Sequence, residues 1–227
     1  MNFDFSEDQK FLAGEARKFL EAESAIPVVR EVLNDESKAY SEGLWKKIAE
    51  MGWLGTAIPE EQGGLGLGML EMCVLAEEMG RVLAPVPFSS TAYFLTEAVK
   101  LAGSDKQKND ILPRIVAGEI IGCYAASEGP GHPDPAHLST EFDGKTVSGT
   151  KIPVTDGGIA THAVVLAKEG KGASLVLVDL SGAGVTRKAL STLAPTRGHA
   201  ELTFDKTPGV RLGKAGEGAC HRCATHQ

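Results

Sequence analysis

Long hydrophobic runs are absent from this 227-residue chain, and no apolar segment approaches the ~18 residues that a membrane-spanning helix requires. Residues 1–8 are acidic, whereas a signal peptide needs a basic flank followed by an apolar core. Cysteine is scarce, with four residues in all, and Cys73 and Cys123 lie inside apolar segments where they suit small-hydrophobe roles. We therefore expect a cytoplasmic protein with no membrane span and no disulfide framework.

Clusters of basic residues are also absent. Residues 1–118 contain 12 Lys and Arg against 19 Asp and Glu, whereas residues 119–227 contain 11 of each, so the net charge of −7 arises in the first half. Binding of nucleic acid requires a basic face that neutralises phosphates. The sequence therefore predicts no nucleic-acid partner, although an acidic surface does not exclude a small anionic ligand in a local site.

Familiar catalytic motifs are missing too: there is no G-x-S-x-G turn, no phosphate-binding P-loop and no H-E-x-x-H helix. Near the C-terminus, Cys220, Cys223 and His226 combine a C-x-x-C pattern with a nearby histidine, a set that can in principle hold zinc. No second ligand pair accompanies them, so we favour an unstructured tail over a zinc site. We therefore predict no metal site, and these motifs identify no catalytic residue.

Helix signals dominate residues 1–118. The segments Ser6–Gln9 and Ser104–Gln107 both match the S-x-x-Q capping box that opens a helix, and apolar residues follow the first at helical spacing. Trp45, on the apolar face of a helix that starts at Ser41, is interpreted as a core residue. The five predicted helices start at 6, 41, 68, 88 and 104. The third, 68–80, is apolar nearly all the way round, which predicts a central position in an all-helical domain.

A glycine-rich segment, 58–68, lies between the second and third of these helices. It superficially resembles a dinucleotide-binding loop. That motif needs a strand before it and a βαβ unit after it, whereas the neighbours here are helical on both sides. We therefore interpret the segment as a tight linker whose glycines permit left-handed backbone and close approach.

Strand signals begin at residue 120. The segment Ile120–Ser127 is short and apolar and enters a Gly/Pro-rich loop, and the Asp143-Gly144 pair between two alternating segments is a strong hairpin signal. Four more short segments rich in Val, Leu or Thr follow, at 162–168, 173–179, 185–190 and 199–204. Helices followed by strands predict an α+β protein, with an antiparallel β-barrel or sandwich as its second part.

These patterns predict three parts of the chain. The helical domain is expected at 1–118, the β domain at 119–213 and an atypical, disordered tail at 214–227.

The chain also resembles the acyl-CoA dehydrogenase family, over its N-terminal and middle domains. No single matching segment is decisive, but their order and spacing together support the family. The matching segments are Phe5–Gln9, Ala57–Gly66, Leu112-Pro113, Gly118-Glu119, Tyr124–Glu128, Gly149–Lys151, Thr155–Gly157, Glu201–Asp205, Leu212-Gly213 and Gly216–Gly218.

The resemblance implies bound FAD and an acyl-CoA substrate that is oxidised to the 2-enoyl-CoA, with electrons passed to an electron-transfer flavoprotein or similar acceptor. It implies that the strand end at 124–127 lies against the flavin, with the Ser127 hydroxyl bonded to it. A second contact is implied at Pro153–Gly157, which resembles the family's W-I-T-N-G motif. The implied cofactor-binding residues are Tyr124, Ala126, Ser127, Pro153 and Thr155.

Two departures from the family pattern alter these expectations. Pro153 stands where the family has Trp, which removes an aromatic wall beside the flavin, and the segment Glu128–Asp134 loses the Gly-Ser pair of the family's E-P-x-x-G-S-D loop. The family's catalytic Glu lies in a third, helical domain beyond Gly218, and we expect this chain to lack it. Catalytic residues therefore stay unassigned, and Glu128 is expected to hold the loop backbone rather than act as the base.

Two classes of function stay open for this sequence. The first is an acyl-CoA dehydrogenase that is incomplete in this chain, forming a homo- or hetero-oligomer in its complete form. The second is a non-catalytic subunit or scaffold that binds flavin or acyl-CoA beside a partner chain. Acyl chain length is not specified by the sequence.

Overall fold

The computed structural model describes residues 4–35, 39–131, 134–193 and 196–218. The chain divides into two compact units, one formed by residues 1–86 with 116–118 and the other by residues 87–115 with 119–227. The C-x-x-C pattern near the C-terminus lies outside the described residues. The sequence-based domain limits of 118 and 213 stay a prediction.

The first unit is helical. Its four α-helices are α1 (Glu7–Glu23), α2 (Ile26–Asn34), α3 (Glu42–Glu50) and α4 (Met69–Arg81), with short 3-10 turns at Trp53–Gly55 and Glu60–Gln62. The predicted capping box is confirmed at α1, because Ser6 Oγ accepts from Gln9 N at 3.2 Å while Gln9 Oε1 accepts from Ser6 N at 2.9 Å. Helix α2 was not predicted, since its N-cap, Ala25, forms no side-chain bond that could announce it.

The apolar content of α4 does not make it central, and that prediction is wrong. Its side chains divide into a buried face containing Met72, Leu75 and Met79 and an outer face on which Met69 and Leu70 are about half exposed. Cys73 is also exposed, contrary to its predicted role as a small core residue, whereas Cys123 is buried as expected. Helix α4 therefore has one buried face and one exposed face, and apolar residues lie on both.

Side-chain bonds between α1 and α4 reinforce this packing. Arg17 on α1 bonds to the buried carboxylate of Glu78 on α4 at 2.7 Å, and the Arg17 hydrogen bond lowers the pKa of Glu78 against the opposing effect of burial. Trp45 is buried, as predicted, and its Nε1 donates to the Gly118 carbonyl at 3.0 Å. Since the indole N–H has a partner, the core holds this side chain without an unpaired polar group.

The glycine-rich segment before α4 is a tight linker, as predicted. Gly63 and Gly66 have φ angles of 82° and 63°, in the left-handed region that side chains rarely adopt. A Cβ at Gly64 would lie 2.0 Å from the Ile58 carbonyl oxygen, which excludes any side chain there. The glycines thus serve a compact backbone fold and not a phosphate site.

The second unit begins with helices. Residues 88–101, predicted as one regular helix, form a π-helix (Ser89–Leu95) that continues into α5 (Thr96–Ala102), followed by α6 (Asp105–Val116). Thr96 Oγ1 donates to the Thr91 carbonyl at 2.9 Å, a five-residue step that accompanies the wider turns. The second capping box is confirmed, because Gln107 Oε1 accepts from Ser104 N at 2.8 Å and Ser104 Oγ accepts from Gln107 N at 3.3 Å.

An eight-stranded sheet forms the rest of this unit. Its strands are β1 (Gly122–Ala125), β2 (Glu141–Phe142), β3 (Thr146–Thr155), β4 (His162–Glu169), β5 (Gly172–Asp179), β6 (Val185–Leu190), β7 (His199–Pro208) and β8 (Val210–Leu212). The hydrogen-bonded order is β6-β7-β3-β2-β4-β5-β8, with β1 paired to β4. The predicted α+β class is confirmed, since most pairs are antiparallel, and only β1 and β2 pair with β4 in parallel among the described strands.

The sheet is open rather than a closed barrel over the described residues, since its path ends at β6 and β8. The predicted Asp143-Gly144 hairpin joins β2 to β3, and Gly144 has the positive φ of 93° that such a turn requires. Strand β4 is the centre of the core, because Ala163 to Ala167 are all fully buried. Through its pairing with β4, strand β1 is also buried, except for the half-buried Tyr124.

Within the described ranges, none of the helices combines the length and apolar character needed to cross a membrane.

Candidate functional site

Two segments that the sequence marked separately lie side by side in the second unit. The end of β1 meets the middle of β3, where Ile152 N donates to the Ser127 carbonyl at 2.8 Å and Glu128 forms a parallel bridge with Ile152. The β1 end at Ala126 and Ser127 therefore adjoins Pro153, the residue after Ile152. The remaining predicted residue of β3, Thr155, lies two positions further and pairs with His199 of β7.

A buried ion pair holds this junction together. Lys151 is fully buried, and its Nζ donates to the Ala126 carbonyl at 3.1 Å and to Glu128 Oε1 at 2.7 Å. Burial lowers the pKa of Lys151, and the bond to Glu128 opposes that shift. Sequence reasoning placed Lys151 in a family motif but assigned it no role, since its partners lie 23 and 25 residues away.

Glu128 closes the loop that follows β1. Its carboxylate accepts from Ser139 N at 2.7 Å and from Thr140 N at 2.9 Å, which confirms the expectation that it holds the loop backbone. Burial acts to raise the pKa of Glu128, but the bonds from Lys151, Ser139 and Thr140 outweigh burial and lower the pKa to about 2. A carboxylate in this state is a poor general base near neutral pH.

Residues around Glu128 also line a cleft of about 310 Å³ next to this junction. Its lining includes Ala126, Glu128, Asp134 and His137, and His137 Nδ1 lies 2.6 Å from Asp134 Oδ2. The described lining of the cleft therefore contains two carboxylates and a histidine ring.

The polar groups near the junction fall into two kinds. Lys151 and Glu128 bond to each other and to backbone groups, and the Ala126 carbonyl accepts one of the Lys151 bonds. In contrast, the hydroxyls of Ser127 and Thr155, both half-buried, have no hydrogen-bond partner among the described residues. Free hydroxyls on two adjacent strand segments are the donor set that a ring with a polar edge can use.

An aromatic pair borders the same strand end. Tyr124 is half-buried and its ring stacks on Phe94 of the π-helix, with ring centroids 5.8 Å apart and an interplanar angle of 7°. Phe94 is 47% exposed, so one face of the pair is open. Pro153 is exposed and provides only a small apolar surface beside Ser127.

Asp156, like Lys151, is a residue at this site whose role sequence reasoning missed. It is buried, with a φ of 57°, and its Oδ2 accepts from Ser90 Oγ at 2.6 Å and from Arg197 at 2.8 Å. Both partners are distant in the sequence, by 66 and 41 residues. No local pattern could have indicated this bond network.

Neither acidic residue beside the two segments is available for proton abstraction in this arrangement, because Glu128 and Asp156 are both in ion pairs. The described residues contain no group of three His, Cys, Asp or Glu side chains that could hold a metal ion.

Comparisons with known proteins identify the family of this chain. Residues 6–119 match the model of the acyl-CoA dehydrogenase N-terminal domain, and residues 123–207 match that of the middle domain. An acryloyl-CoA reductase (NADH) from Anaerotignum propionicum is 31% identical over 96% of this chain and 59% of its own length. The mitochondrial isovaleryl-CoA dehydrogenase of Bos taurus is 32% identical over 72% of this chain and 39% of its own.

A solved structure shows the same fold over nearly the whole chain. The acyl-CoA dehydrogenase of Geobacillus kaustophilus superposes with a TM-score of 0.86 at 26% identity, covering 99% of this chain and 63% of its own. The present chain thus spans about three fifths or less of the length of these relatives. With both domain models matched in order, the chain belongs to the acyl-CoA dehydrogenase family, whose members bind FAD.

Proposed function

We propose that this chain binds FAD at the junction of β1 and β3 and belongs to an oxidoreductase that acts on acyl-CoA thioesters. The observation that supports it most is the junction itself, where a 2.8 Å backbone bond joins Ser127 to Ile152, the residue before Pro153. The hydroxyls of Ser127 and Thr155 have no partner within the described part of the chain and can therefore bond to a ligand. The residues that would hold the flavin are Tyr124, Ala126, Ser127, Pro153 and Thr155.

Each of these residues has a distinct part in binding. Bound FAD would supply the hydride acceptor for oxidation of the acyl-CoA to the 2-enoyl-CoA. Ser127 and Thr155 donate hydrogen bonds from their hydroxyls, while Tyr124, backed by Phe94, and Pro153 cover apolar ring surface. Ala126 contributes its small side chain and no carbonyl acceptor, since its carbonyl is held by Lys151.

We propose that this chain alone turns over acyl-CoA poorly. Removal of the proton α to the thioester requires a carboxylate within hydrogen-bond reach and able to accept a proton. Glu128 is bonded to Lys151 and to two backbone N–H groups, and Asp156 is bonded to Arg197 and Ser90. Both carboxylates are therefore occupied with holding the site and not with proton transfer.

A non-catalytic flavin- or acyl-CoA-binding subunit that works beside a partner chain is the second candidate. Two observations favour it: the occupied carboxylates, and Pro153, a small residue at a position where the resemblance implies an aromatic wall. In both candidates the proposed partners are an acyl-CoA and an electron acceptor such as an electron-transfer flavoprotein. We also propose a cytoplasmic location and a homo- or hetero-oligomer in the complete form.

The test begins with the purified chain titrated with FAD while its visible absorption and protein fluorescence are recorded. We expect saturable binding with a shifted flavin spectrum. Loaded chain is then assayed with saturated acyl-CoAs of several lengths and an artificial acceptor, and with enoyl-CoAs and a reductant, since one relative is named as a reductase.

Each outcome of this test has a defined meaning. No saturable FAD binding contradicts the proposed function. Binding with turnover within about tenfold of a full-length relative contradicts the proposal that the carboxylates described here are unavailable. Binding of FAD and of acyl-CoA without turnover, restored by a partner chain, selects the second candidate.

A further inference from the structure

The turn after β3 is tied to two distant parts of the second unit. Asp156 Oδ2 accepts from Ser90 Oγ at 2.6 Å and from Arg197 at 2.8 Å, and a second nitrogen of Arg197 donates to Ser89 Oγ at 2.9 Å. The Asp156 N–H also donates to the Gly198 carbonyl at 2.8 Å. One buried carboxylate therefore connects the turn with the start of the π-helix and with the segment that leads into β7.

The π-helix in turn is fixed against β1. Gly122 N donates to Thr91 Oγ1 at 2.9 Å, and a Cβ at Gly122 would lie 2.4 Å from Leu95 Cβ. The same helix carries Phe94, which stacks on Tyr124. The helix and the strand are thus in close contact, with no room for even a methyl group between them.

Asp156 thus links the two segments that the proposed flavin site combines, the turn after β3 and the end of β1. On one side it follows Thr155 directly, and its left-handed φ of 57° sets the direction in which the chain leaves β3. On the other side its bond to Ser90 reaches the helix that supports Tyr124. Its negative charge is also felt at β1, where it contributes to the raised pKa of the buried Cys123 thiol, after the larger effect of burial.

We propose that Asp156 is a positioning residue of the flavin site: through Ser90 and Arg197 it holds Thr155 and the β1 end in the mutual arrangement that binds the ring. This inference rests on the proposed function. A purely structural role would affect folding alone. A positioning role also affects the affinity for FAD and the surroundings of the bound flavin.

The positioning role and the purely structural role are separated by comparing Asp156→Gly with the matched control Asp143→Gly. Asp156→Gly removes the carboxylate while tolerating the positive φ, and Asp156→Asn retains one acceptor oxygen. Asp143→Gly is the control, because Asp143 also organises an Asp-Gly turn at an end of β3, where it accepts from Lys145 N, Thr146 N and Thr146 Oγ1. Ser90→Ala removes the donor from the opposite side of the same bond.

The measurements on the full chain are the melting temperature without FAD, the dissociation constant for FAD, and the visible circular dichroism of the flavin at saturation. We expect both Asp→Gly variants to lower the melting temperature. Of these two variants, only Asp156→Gly should weaken FAD binding and change the flavin dichroism. The expected loss of affinity is about tenfold, the worth of a hydrogen bond with a charged partner. Asp156→Asn should recover most of the affinity, and Ser90→Ala should shift it in the same direction as Asp156→Gly.

The outcomes distinguish this inference from the function on which it rests. Equal FAD affinity and dichroism in Asp156→Gly and Asp143→Gly, with the unchanged chain binding FAD, overturn the positioning role alone. A chain that binds no FAD overturns the proposed function and this inference with it. If Asp156→Gly does not fold, an unaltered affinity and dichroism in Ser90→Ala overturn the inference.

Discussion

The two Asp-Gly turns at the ends of β3 show how differently one sequence pattern can be used. Asp143, before the strand, is exposed and bonds only to residues two or three positions away. Asp156, after the strand, is buried and bonds to residues 66 and 41 positions away. The first turn shapes a hairpin through local hydrogen bonds. The second turn forms long-range hydrogen bonds, and it lies at the proposed ligand site.

The contrast extends along β3 itself. At the Asp143 end the strand pairs with β2 as a simple hairpin. In its second half, Lys151 reaches the end of β1. The register with β7 is interrupted there between Lys151 and Val154, as it also is between Val147 and Gly149 in the first half. Such irregularities often lie next to functional sites, because they redirect side chains away from the regular alternation. The long-range half of β3 is therefore where substitutions should affect both folding and ligand binding.

The largest expected effect comes from Gly122, which lies on β1 against the π-helix. A Gly122→Ala substitution places its Cβ 2.4 Å from Leu95 Cβ, so the strand and the helix must separate. We expect a loss of about 3 kcal/mol in the free energy of unfolding, measured by urea denaturation, because a fully buried contact has no room to relax.

Gly158 is the matched control for this prediction. It has nothing within 4 Å of a built Cβ and no positive φ, so Gly158→Ala should be close to neutral. Equal stability of the two variants would mean that the contact between the π-helix and β1 adapts to an added methyl group at little cost in free energy.

A second, smaller effect is expected from the buried pair of Lys151 and Glu128. The pKa of Glu128 is lowered from its usual value of 4.5 to about 2, so its ionised form stabilises the fold above the unfolded-state pKa. This stability is lost as the pH falls from ~4.5 towards ~2. Glu128→Gln should cost about 2 kcal/mol near neutral pH and flatten the acid limb of the stability curve.

The control for this pH dependence is Asp143→Asn. The pKa of Asp143 is also lowered, chiefly by the hydrogen bond from Thr146 N, but the group is exposed. Its removal should therefore change the acid limb much less than Glu128→Gln does. An acid limb that is identical in the Glu128 variant and the unchanged chain would show that the pair with Lys151 contributes no net stability.

The same division between local and long-range contacts decides what could be predicted from the sequence. The capping boxes at Ser6 and Ser104 and the hairpin at Asp143 were recognised because their partners lie within three residues. The roles of Lys151 and Asp156 were not, because their partners come close only when the sheet forms. Exposure was the other failure, since the apolar residues of α4 occupy both its faces and composition alone does not say which face is covered.

The candidate ligand residues fall between these extremes. Ser127 and Pro153 were selected by resemblance to a family and not by spacing, and the structure does place their segments side by side. Resemblance could not show, however, which polar groups at the junction are already bonded within the protein. That distinction separates Glu128, which is occupied, from the Ser127 hydroxyl, which is free among the described residues.

The smallest expected effect tests that distinction directly. Ser127→Ala removes a hydroxyl with no partner in the described part of the chain, so it should leave the free energy of unfolding nearly unchanged. If the hydroxyl bonds to the flavin, FAD affinity should fall by the worth of one hydrogen bond, about 0.5–1.5 kcal/mol. Isothermal titration of the purified variant with FAD measures the change.

Ser148→Ala provides the comparison, since Ser148 lies in the first half of β3 and its Oγ accepts from Lys206 N at 3.2 Å. Loss of that internal bond should lower stability by about 1 kcal/mol while leaving FAD affinity unchanged. The two serines should therefore show opposite responses, one in binding and the other in folding. An unchanged FAD affinity in Ser127→Ala would remove the hydroxyl from the proposed site and leave Thr155 as the only predicted side-chain donor there.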